Sequence, residues 1–427
     1  MRKKIAVLIP EFPVQTHAFF MREREQLNQL GVDTVLVSTR RPDGQHGIAS
    51  HEWAENAIKE TKYLFPLSIL ETLSLLMSFI LTGPAGWQRC YNAIRSSDYR
   101  TFKERITNLG FILVAIKLLR YCRANDITHV HVHSCANAAN VAMFSALLHG
   151  PSYSLTLHGP LIDYGPNQSN KWKHAAFGIV ITTDLKNELE QTLNPEELPP
   201  VSLAPMGVDI NSFKRQQPYK YHQTDEPIRL VSCGRLNYVK AHDDLIRVVA
   251  LLKNKGQHCV LRICGAMDAP SQKVNYKNEL EQLARDLDVY DDITFLGSVS
   301  EQHVKQELSD AHFFCLASLK EPLGVATMEA MAMEIPVIVC KSPGVEEMVS
   351  DGKDGFLVEP RTPQQFVDCI LEAIKAPELI AQMITSGRAK VTQKFHSGIS
   401  AQKIYEGIEQ LVNHHGNQQP NDGQDAT

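Results

Sequence analysis

The sequence predicts an α/β protein with two doubly wound domains in tandem. Short runs of valine, isoleucine and leucine alternate with helical patterns along most of the 427 residues, a length that fits two or three domains. Continuous apolar strands separated by helices are typical of parallel sheets covered on both faces. The pattern restarts after the polar segment DINSFKRQQPYKYHQTDEP, which has the character of a linker.

The first strand–helix series predicts an N-terminal domain over residues 1–205. KIAVLIP and VDTVLVST are candidate buried strands, and the amphipathic HAFFMREREQLNQLG lies between them. A helical insert at about 63–123 follows. The series then continues with THVHVHS, the helix ANVAMFSALLH, SYSLTLHG, FGIVITT and VSLAPMG.

The second series predicts a C-terminal domain over residues 206–395. It begins with the strand IRLVSCGRL and the helix AHDDLIRVVALLKNKG, and it ends with HFFCLAS, TMEAMAM, IPVIVC and GFLVEP. Neither half has G-x-G-x-x-G after its first strand, which disfavours a dinucleotide dehydrogenase, and there is no Walker A motif. The polar tail, 414–427, is predicted to be disordered.

The amino-acid composition and net charge limit the classes of protein and partner that fit this chain. Hydrophobic residues make up 43% and charged residues 21%, and the net charge of −5 implies no nucleic-acid partner. Nine cysteines are scattered singly, which indicates small buried side chains in a reducing, cytoplasmic compartment. MRKKIAVLIPEF is predicted to be a first strand rather than a signal peptide.

The most apolar stretch is LSILETLSLLMSFILTGPAGW, residues 67–87. Its apolar part is short of the roughly 20 residues of a membrane span, so a buried or interfacial helix is expected. Residues 86–123 carry eight basic and two acidic residues, a local charge of +6. This balance fits either the inner face of an anionic plasma membrane or a solvated face beside core helices.

The segment SLKEPLGVATMEAMAMEIPVIV carries the strongest candidate site. A helix is predicted to begin near Val325, where free N–H groups and the helix dipole suit a phosphate. Gly324 lets the backbone approach a ligand closely. Glu321 at the strand end and Glu329 in the helix can each accept hydrogen bonds from a diol. Together they predict a nucleotide-sugar pocket, although Glu329 alone would equally fit a solvated helix surface.

Other candidates lie at predicted strand ends. Arg235 and Lys240 follow the first strand of the second domain, where they can offset diphosphate charge or be plain surface cations. His158, in LTLHG, ends a predicted strand. It is either a capped loop residue or part of a site. His131 and His133 share one face of a strand, but no third metal ligand has motif spacing. One histidine of the pair is therefore assigned to the core, and the other, His133, to the cleft. The DLD at 286–288 is assigned to a solvated helix terminus, not a metal site.

Several segments of the chain resemble one known protein family. EPLGVATMEAMAMEIPVIVCKSPGVEEMVSDGKDGFLVEP resembles the E-x7-E region of retaining glycosyltransferases of family 4, which have the GT-B fold. GRLNYVKAHDDLIRVVALL, APMGVDINSF and ITFLGSV are similar to further motifs of that family. FPVQTHAFFMRE and THVHVHSCANAANVAM resemble a subgroup that builds exopolysaccharide or lipopolysaccharide. The resemblance implies two Rossmann-like domains facing across a cleft, with a final helix, 396–413, crossing back to the first.

The resemblance also implies donor-site roles by position. Arg235 and Lys240 would hold the donor diphosphate, Glu321 would bind hydroxyls of the transferred sugar, and Glu329 would bind the ribose. Catalysis would rest on Glu321, Lys240, Arg235 and His158. The remaining implied donor contacts are Gly297, Val299, Leu323, Gly324 and Val325.

On the acceptor side, the resemblance implies roles for His17 and His133. His17 stands where the subgroup commonly has an acidic residue, so it departs from the pattern. Three further departures replace the usual Phe, Gly and Gly; they are Leu323, Glu334 and Pro343. The first bears on the donor-sugar pocket and the other two on loop geometry.

The implied reaction is retaining transfer of a sugar from a nucleotide-diphosphate sugar to a glycan or lipid-linked acceptor. It needs neither a metal ion nor a cofactor, because cations and a helix dipole face the diphosphate. Two alternatives stay open at this point: a nucleotide-sugar epimerase of the same fold, and a two-lobed sugar-binding protein.

Overall fold

The computed structural model describes residues 3–14, 17–42, 52–99, 101–267 and 276–416. The strands of the first sheet are β1 (Lys3–Glu11), β2 (Val32–Arg40), β3 (Lys62–Tyr63), β4 (His129–Val132), β5 (Ser152–Leu157), β6 (Phe177–Val180) and β7 (Val201–Leu203). Those of the second sheet are β8 (Ile228–Cys233), β9 (Cys259–Cys264), β10 (Ile293–Gly297), β11 (Phe313–Leu316), β12 (Val337–Cys340) and β13 (Phe356–Val358).

Helices connect these strands and follow the last of them. In the first half they are α1 (Ala18–Gln29), α2 (Ala54–Glu60), α3 (Ile69–Leu81), α4 (Gly83–Arg95), α5 (Phe102–Ala124), α6 (Asn137–Leu147), α7 (Gln168–Lys173) and α8 (Thr183–Thr192). In the second half they are α9 (His242–Asn254), α10 (Tyr276–Asp286), α11 (Glu301–Asp310), α12 (Val325–Ala332), α13 (Pro343–Met348), α14 (Pro363–Lys375), α15 (Pro377–Lys394) and α16 (Gly398–Gly416).

Both sheets are parallel and doubly wound, which confirms the predicted fold class. The strand orders are β3-β2-β1-β4-β5-β6-β7 and β10-β9-β8-β11-β12-β13. In each sheet the chain starts at a central strand, builds outward on one side and then crosses to the other. The crossing points lie between β1 and β4 and between β8 and β11, and the carboxyl ends of strands at such points are where ligands bind in open α/β sheets.

Two chain segments run side by side between the sheets. Val208 N donates to Phe395 O at 2.9 Å, and Ser397 N donates to Val208 O at 3.0 Å. A Cβ on Gly207 would lie 2.1 Å from the carbonyl carbon of His396, so only glycine permits this approach. The crossing leads into α16.

The final helix, α16, packs on the first domain. Ala401, Ile404 and Ile408 are buried in one cluster with Ile5 and Val7 of β1. The helix continues to Gly416, so it includes residues 414–416 of the tail that was predicted to be disordered. The rest of that tail, 417–427, lies outside the described residues.

Helix α3 is largely exposed. The sequence had allowed either a buried or an interfacial helix here. Leu75 is its buried residue, whereas Ile69, Leu70 and Leu81 expose 82%, 81% and 85% of their surface. Among the described residues, no single helix is long and apolar enough to cross a membrane. Helices α3 and α4 pass that length and composition test only as a pair, and they bend by 105°.

Glu334 supplies a prediction about stability. It follows α12 with φ of 54°, a left-handed conformation that costs a non-glycine residue about 1–2 kcal/mol. We expect Glu334→Gly to raise the free energy of unfolding by about 0.5–1 kcal/mol, because relief of this strain exceeds the entropic cost of glycine. Chemical denaturation measures it. The matched control, Glu372→Gly inside α14, should destabilise by about 1 kcal/mol; an equal loss in both would contradict the account.

Candidate active site

A cleft of about 850 Å³ lies between the two domains and is lined from both. The first domain contributes the end of β1, the start of α1 and the residues after β4 and β5. The second contributes the residues after β8, β9 and β10 and the loop from β11 to α12. The carboxyl ends of the central strands therefore meet at one space, as expected for two facing doubly wound sheets.

Lys240 and Glu321 form an ion pair inside this cleft. Lys240 ends a short 3₁₀ turn after β8, whose start is held by Asn237 Oδ1 accepting from the Lys240 N–H at 3.2 Å. The two side chains are 16% and 13% exposed. Ala241 follows with φ of 47°, a left-handed conformation that favours glycine. Two residues 81 positions apart are thus brought together, and each keeps the other's charge compensated.

The helix start predicted near Val325 is confirmed. Gly324 has φ of 86° and precedes the first residue of α12. A Cβ on Gly344 would lie 1.7 Å from Pro322 O, so this glycine of the SPGVEE segment is required by the close approach of α13 to the loop. Pro343, one of the departures, is the first residue of α13, where its fixed φ and missing N–H fit a helix start.

Glu329 contacts an arginine from the other domain. Arg22 Nη2 of α1 lies 2.8 Å from Glu329 Oε1 and 2.9 Å from Glu301 Oε2. The Arg22 side chain is 10% exposed, and its guanidinium lies 4.9 Å from the Phe213 ring centroid. Burial is the largest influence and raises the Glu301 pKa, but the charges of Arg22 and Lys305 and the hydrogen bonds from Arg22 and Ser212 together leave this pKa lowered. Sequence reasoning missed Arg22 and Glu301.

The candidate histidines lie together on the first-domain side of the cleft. His133 Nδ1 is 3.3 Å from His158 Nε2, and Glu23 Oε1 is 2.9 Å from His133 Nε2. Burial lowers the pKa of His17, His133 and His158 to about 3, so all three are neutral at physiological pH. Burial also raises the pKa of Glu23. Neutral rings suit hydroxyl recognition rather than charge pairing.

One group of side chains here has the distances of a metal site. Glu23, His131 and His133 offer ligand atoms within 4.8 Å of one another. Both ring nitrogens of His131 already bond hydroxyls, however: Nδ1 lies 2.8 Å from Ser154 Oγ and Nε2 lies 3.0 Å from Thr156 Oγ1. These bonds account for a buried histidine without an ion.

Most of the residues singled out in the sequence line the cleft. They are His17, His133, His158, Arg235, Lys240, Val299, Glu321, Leu323, Gly324, Val325 and Glu329. Gly297 does not appear in the cleft lining of the described chain, although its neighbours Ser298 and Val299 do; its carbonyl accepts from Gly265 N at 2.8 Å. The Leu323 side chain is 2% exposed. His17 also accepts from Val14 N at 3.4 Å through Nδ1.

Further contacts hold the two domains together. The carboxylate of Glu347, on α13, accepts from the backbone N–H groups of Thr183 and Asp184, each at 2.9 Å. It thereby caps the start of α8 in the other domain, where a negative charge is favoured. Lys320 Nζ lies 3.8 Å from Asp163.

Comparison with known proteins agrees with this geometry. A family described as "Glycosyl transferases group 1" matches residues 213–390. The amylovoran biosynthesis glycosyltransferase AmsK of Erwinia amylovora is 26% identical over 96% of this chain and 100% of its own length. The putative colanic acid biosynthesis glycosyltransferase WcaL of Salmonella typhimurium is 24% identical over 92% of this chain and 96% of its own.

Solved structures share the fold across both domains. HepE of Anabaena, solved in complex with UDP-glucose, superposes with a TM-score of 0.70 at 17% identity over 95% of this chain and 99% of its own. A sucrose-phosphate synthase from Thermosynechococcus elongatus gives a TM-score of 0.70 at 16% identity over 97% and 100%. Residues 213–390 are thus similar to the group 1 glycosyltransferases, and the chain has a two-domain GT-B fold.

Proposed function

We propose that the chain transfers a sugar, with retention, from a nucleotide-diphosphate sugar to a hydroxyl of a glycan or lipid-linked acceptor in cell-surface polysaccharide biosynthesis. The main support for this proposal is the Lys240–Glu321 ion pair in the cleft, next to the start of α12 at Gly324. A cation, a hydroxyl acceptor and a helix N-terminus in one place suit a sugar diphosphate.

The relatives support this substrate class. AmsK and WcaL are described as enzymes of amylovoran and colanic acid biosynthesis. A Mycobacterium tuberculosis mannosyltransferase that is 24% identical over 73% of this chain is described as GDP-mannose-dependent, while HepE was solved with UDP-glucose. GDP-mannose and UDP-glucose share a nucleoside diphosphate, which is the donor class proposed for this chain.

In the proposed mechanism Arg235 and Lys240 bind the diphosphate, and the N–H groups at the α12 start bind it or the sugar. Glu321 accepts from sugar hydroxyls, and His158 faces the sugar from the other domain. The bond between the anomeric carbon and the phosphate oxygen breaks, and the acceptor oxygen bonds to that carbon on the same face. The acceptor proton passes to the leaving diphosphate. The chain positions the reactants and stabilises the leaving charge.

We propose that this chemistry needs no metal ion or resident cofactor. Lys240 is nearly enclosed, with its side chain 16% exposed, and Arg235 also lines the cleft. Two cations and a helix dipole can supply the positive charge that a divalent ion supplies elsewhere. The neutral His17 and His133, on the other side of the cleft, are assigned to the acceptor.

A thermal-shift screen of nucleoside diphosphates and their sugars tests the donor class. A ligand that binds the folded state raises the melting temperature by mass action. The proposal requires at least one nucleoside diphosphate to do so, and Lys240→Met to reduce the shift. Tight binding of simple sugars with no response to nucleotides would instead favour a sugar-binding protein. Isomerised free nucleotide sugar, without radiolabel transfer to an acceptor, would indicate an epimerase.

We further propose that the α3 surface, defined by Ile69, Leu70, Leu73, Met77 and Leu81, contacts an anionic membrane. These side chains expose from 56% to 85% of their area. On α5, Phe102 and Ile106 are also exposed, and the basic Lys103 and Arg105 lie between them. Apolar side chains beside basic ones suit an anionic lipid interface.

Not every basic residue of this region is available for lipid. Arg100 lies outside the described residues. Four others make contacts within the protein: Arg89 with Leu147 O, Lys117 with Glu71, Arg120 with Ser74 and Arg123 with His149 O. The free thiols among the described cysteines agree with a reducing compartment, and we place the enzyme on the cytoplasmic face of the membrane.

Leu70→Glu combined with Leu81→Glu should lower binding to vesicles containing phosphatidylglycerol by at least about tenfold, because two exposed apolar anchors are lost. Sedimentation across a salt series measures this. The control Thr192→Glu with Thr385→Glu adds the same charges on other helices and should leave binding unchanged. No binding of the unaltered protein at low salt, or equal binding by the L70E/L81E variant, would contradict the membrane proposal.

A further inference from the structure

Arg22 crosses the domain boundary to reach two carboxylates of the donor domain. One nitrogen, Nη2, lies 2.8 Å from Glu329 and 2.9 Å from Glu301. The guanidinium is flanked by the Phe213 ring at 4.9 Å, in the segment that joins the two sheets. With the side chain 10% exposed, Arg22 is held in one place by packing as well as by charge.

The second carboxylate anchors the arrangement. Glu301 Oε1 accepts from Ser212 Oγ at 3.0 Å and lies 3.5 Å from Lys305 Nζ. Two contacts besides the one with Arg22 therefore hold this carboxylate in place. Glu301 holds Arg22 in place, and Arg22 in turn orients Glu329. The Glu329 side chain is 15% exposed and lines the cleft.

We propose that Arg22 is a positioning residue for the donor ribose: from the opposite domain, it holds the Glu329 carboxylate in the orientation that accepts the ribose diol. The inference rests on the ribose role proposed for Glu329. A carboxylate held by a buried arginine has a defined orientation, so fewer orientations are lost when the diol binds. The acceptor domain thus contributes to recognition of the nucleotide, although it does not touch it through Arg22.

A purely structural role makes a different prediction. If Arg22 only tied the domains together, breaking another interdomain contact would have the same effect. Glu347 provides that contact, because it caps α8 across the boundary at 2.9 Å and does not touch Glu329. Glu347→Gln is therefore the matched control for domain closure.

The test compares ribose with 2′-deoxyribose. Dissociation constants of UDP and 2′-deoxy-UDP, and of GDP and 2′-deoxy-GDP, are measured by calorimetry with the full chain. For the base that binds, the unaltered protein should prefer ribose by about tenfold or more, as for a hydrogen bond to a charged group. In Arg22→Gln the preference should fall to less than about twofold. Arg22→Lys, which keeps the charge, should retain part of it.

Other variants distinguish an error in the ribose role of Glu329 from an error in the role of Arg22. Glu347→Gln keeps the Arg22–Glu329 contact and should keep the preference, and circular dichroism checks the fold of every variant. If unaltered protein shows no preference, or Glu329→Gln keeps it, the ribose role of Glu329 is wrong and the inference falls with it. If Glu329→Gln loses the preference while Arg22→Gln and Arg22→Lys keep it, only the role of Arg22 is wrong. Should Arg22→Gln not fold, a partial loss of preference in Arg22→Lys with full preference in Glu347→Gln supports the inference, and full preference in Arg22→Lys or an equal loss in both variants overturns it.

Discussion

Replacing Lys240 by methionine is expected to lower kcat/KM by about 10²–10³-fold, the usual effect of removing one preorganised group that stabilises developing charge. Methionine keeps much of the buried stem but removes the ammonium group that lies against Glu321 in the cleft. Because the leaving diphosphate gains charge as the glycosidic bond breaks, most of the loss should appear in kcat. Steady-state transfer of radiolabelled sugar measures both constants.

The control for this variant is Lys253→Met. Lys253 also forms an ion pair, 2.8 Å from Asp288, but its side chain is 47% exposed and it lies at the end of α9. Its replacement should leave kcat/KM within about twofold, since exposed pairs contribute little. Equal turnover by K240M and the unaltered enzyme would remove Lys240 from the catalytic site.

Glu321→Ala should lower kcat/KM by about 10–100-fold, because hydrogen bonds between a sugar and a charged group contribute roughly 1.5–3 kcal/mol. The variant also leaves Lys240, at 16% exposure, without its counter-charge, which costs further stability. Glu321→Gln keeps the shape and should lose less. Glu359→Gln, in the exposed pair with Lys341 at 2.5 Å, is the control and should behave like unaltered enzyme.

The two variants are expected to be non-additive. Lys240 and Glu321 share one ion pair, so the double variant should lose less than the product of the single losses. Full additivity would mean that the two residues act independently in the reaction, and it would contradict their assignment to one donor site.

The sequence was most informative where function and local structure coincide. The helix start at Val325, the glycine before it and the strand-end positions of Lys240 and Glu321 all follow from local pattern, and the structure brings them to one cleft. Parallel doubly wound sheets place strand ends together whatever their separation along the chain. That is why residues 81 positions apart could be assigned to one pocket before any coordinates.

The contacts that escaped prediction are long-range. Arg22 sits among alternating charges in MRERE, which is typical of a solvated helix face, and its partner Glu329 is 307 residues away. Glu301 follows the N-cap Ser300, so it fits an ordinary helix start. Glu23 completes a histidine cluster that motif spacing could not reveal. The exposure of α3 likewise depends on which of its faces finds a partner.

The anomeric configuration of the product tests the central claim most directly. Once the screen has identified a donor, transfer to a simple acceptor is followed by proton NMR with EDTA present throughout. The proposed mechanism gives a product with the same anomeric configuration as the donor sugar, formed at a rate that EDTA does not change. A product of inverted configuration, or transfer that stops with EDTA and resumes with added Mg²⁺ or Mn²⁺, would contradict it.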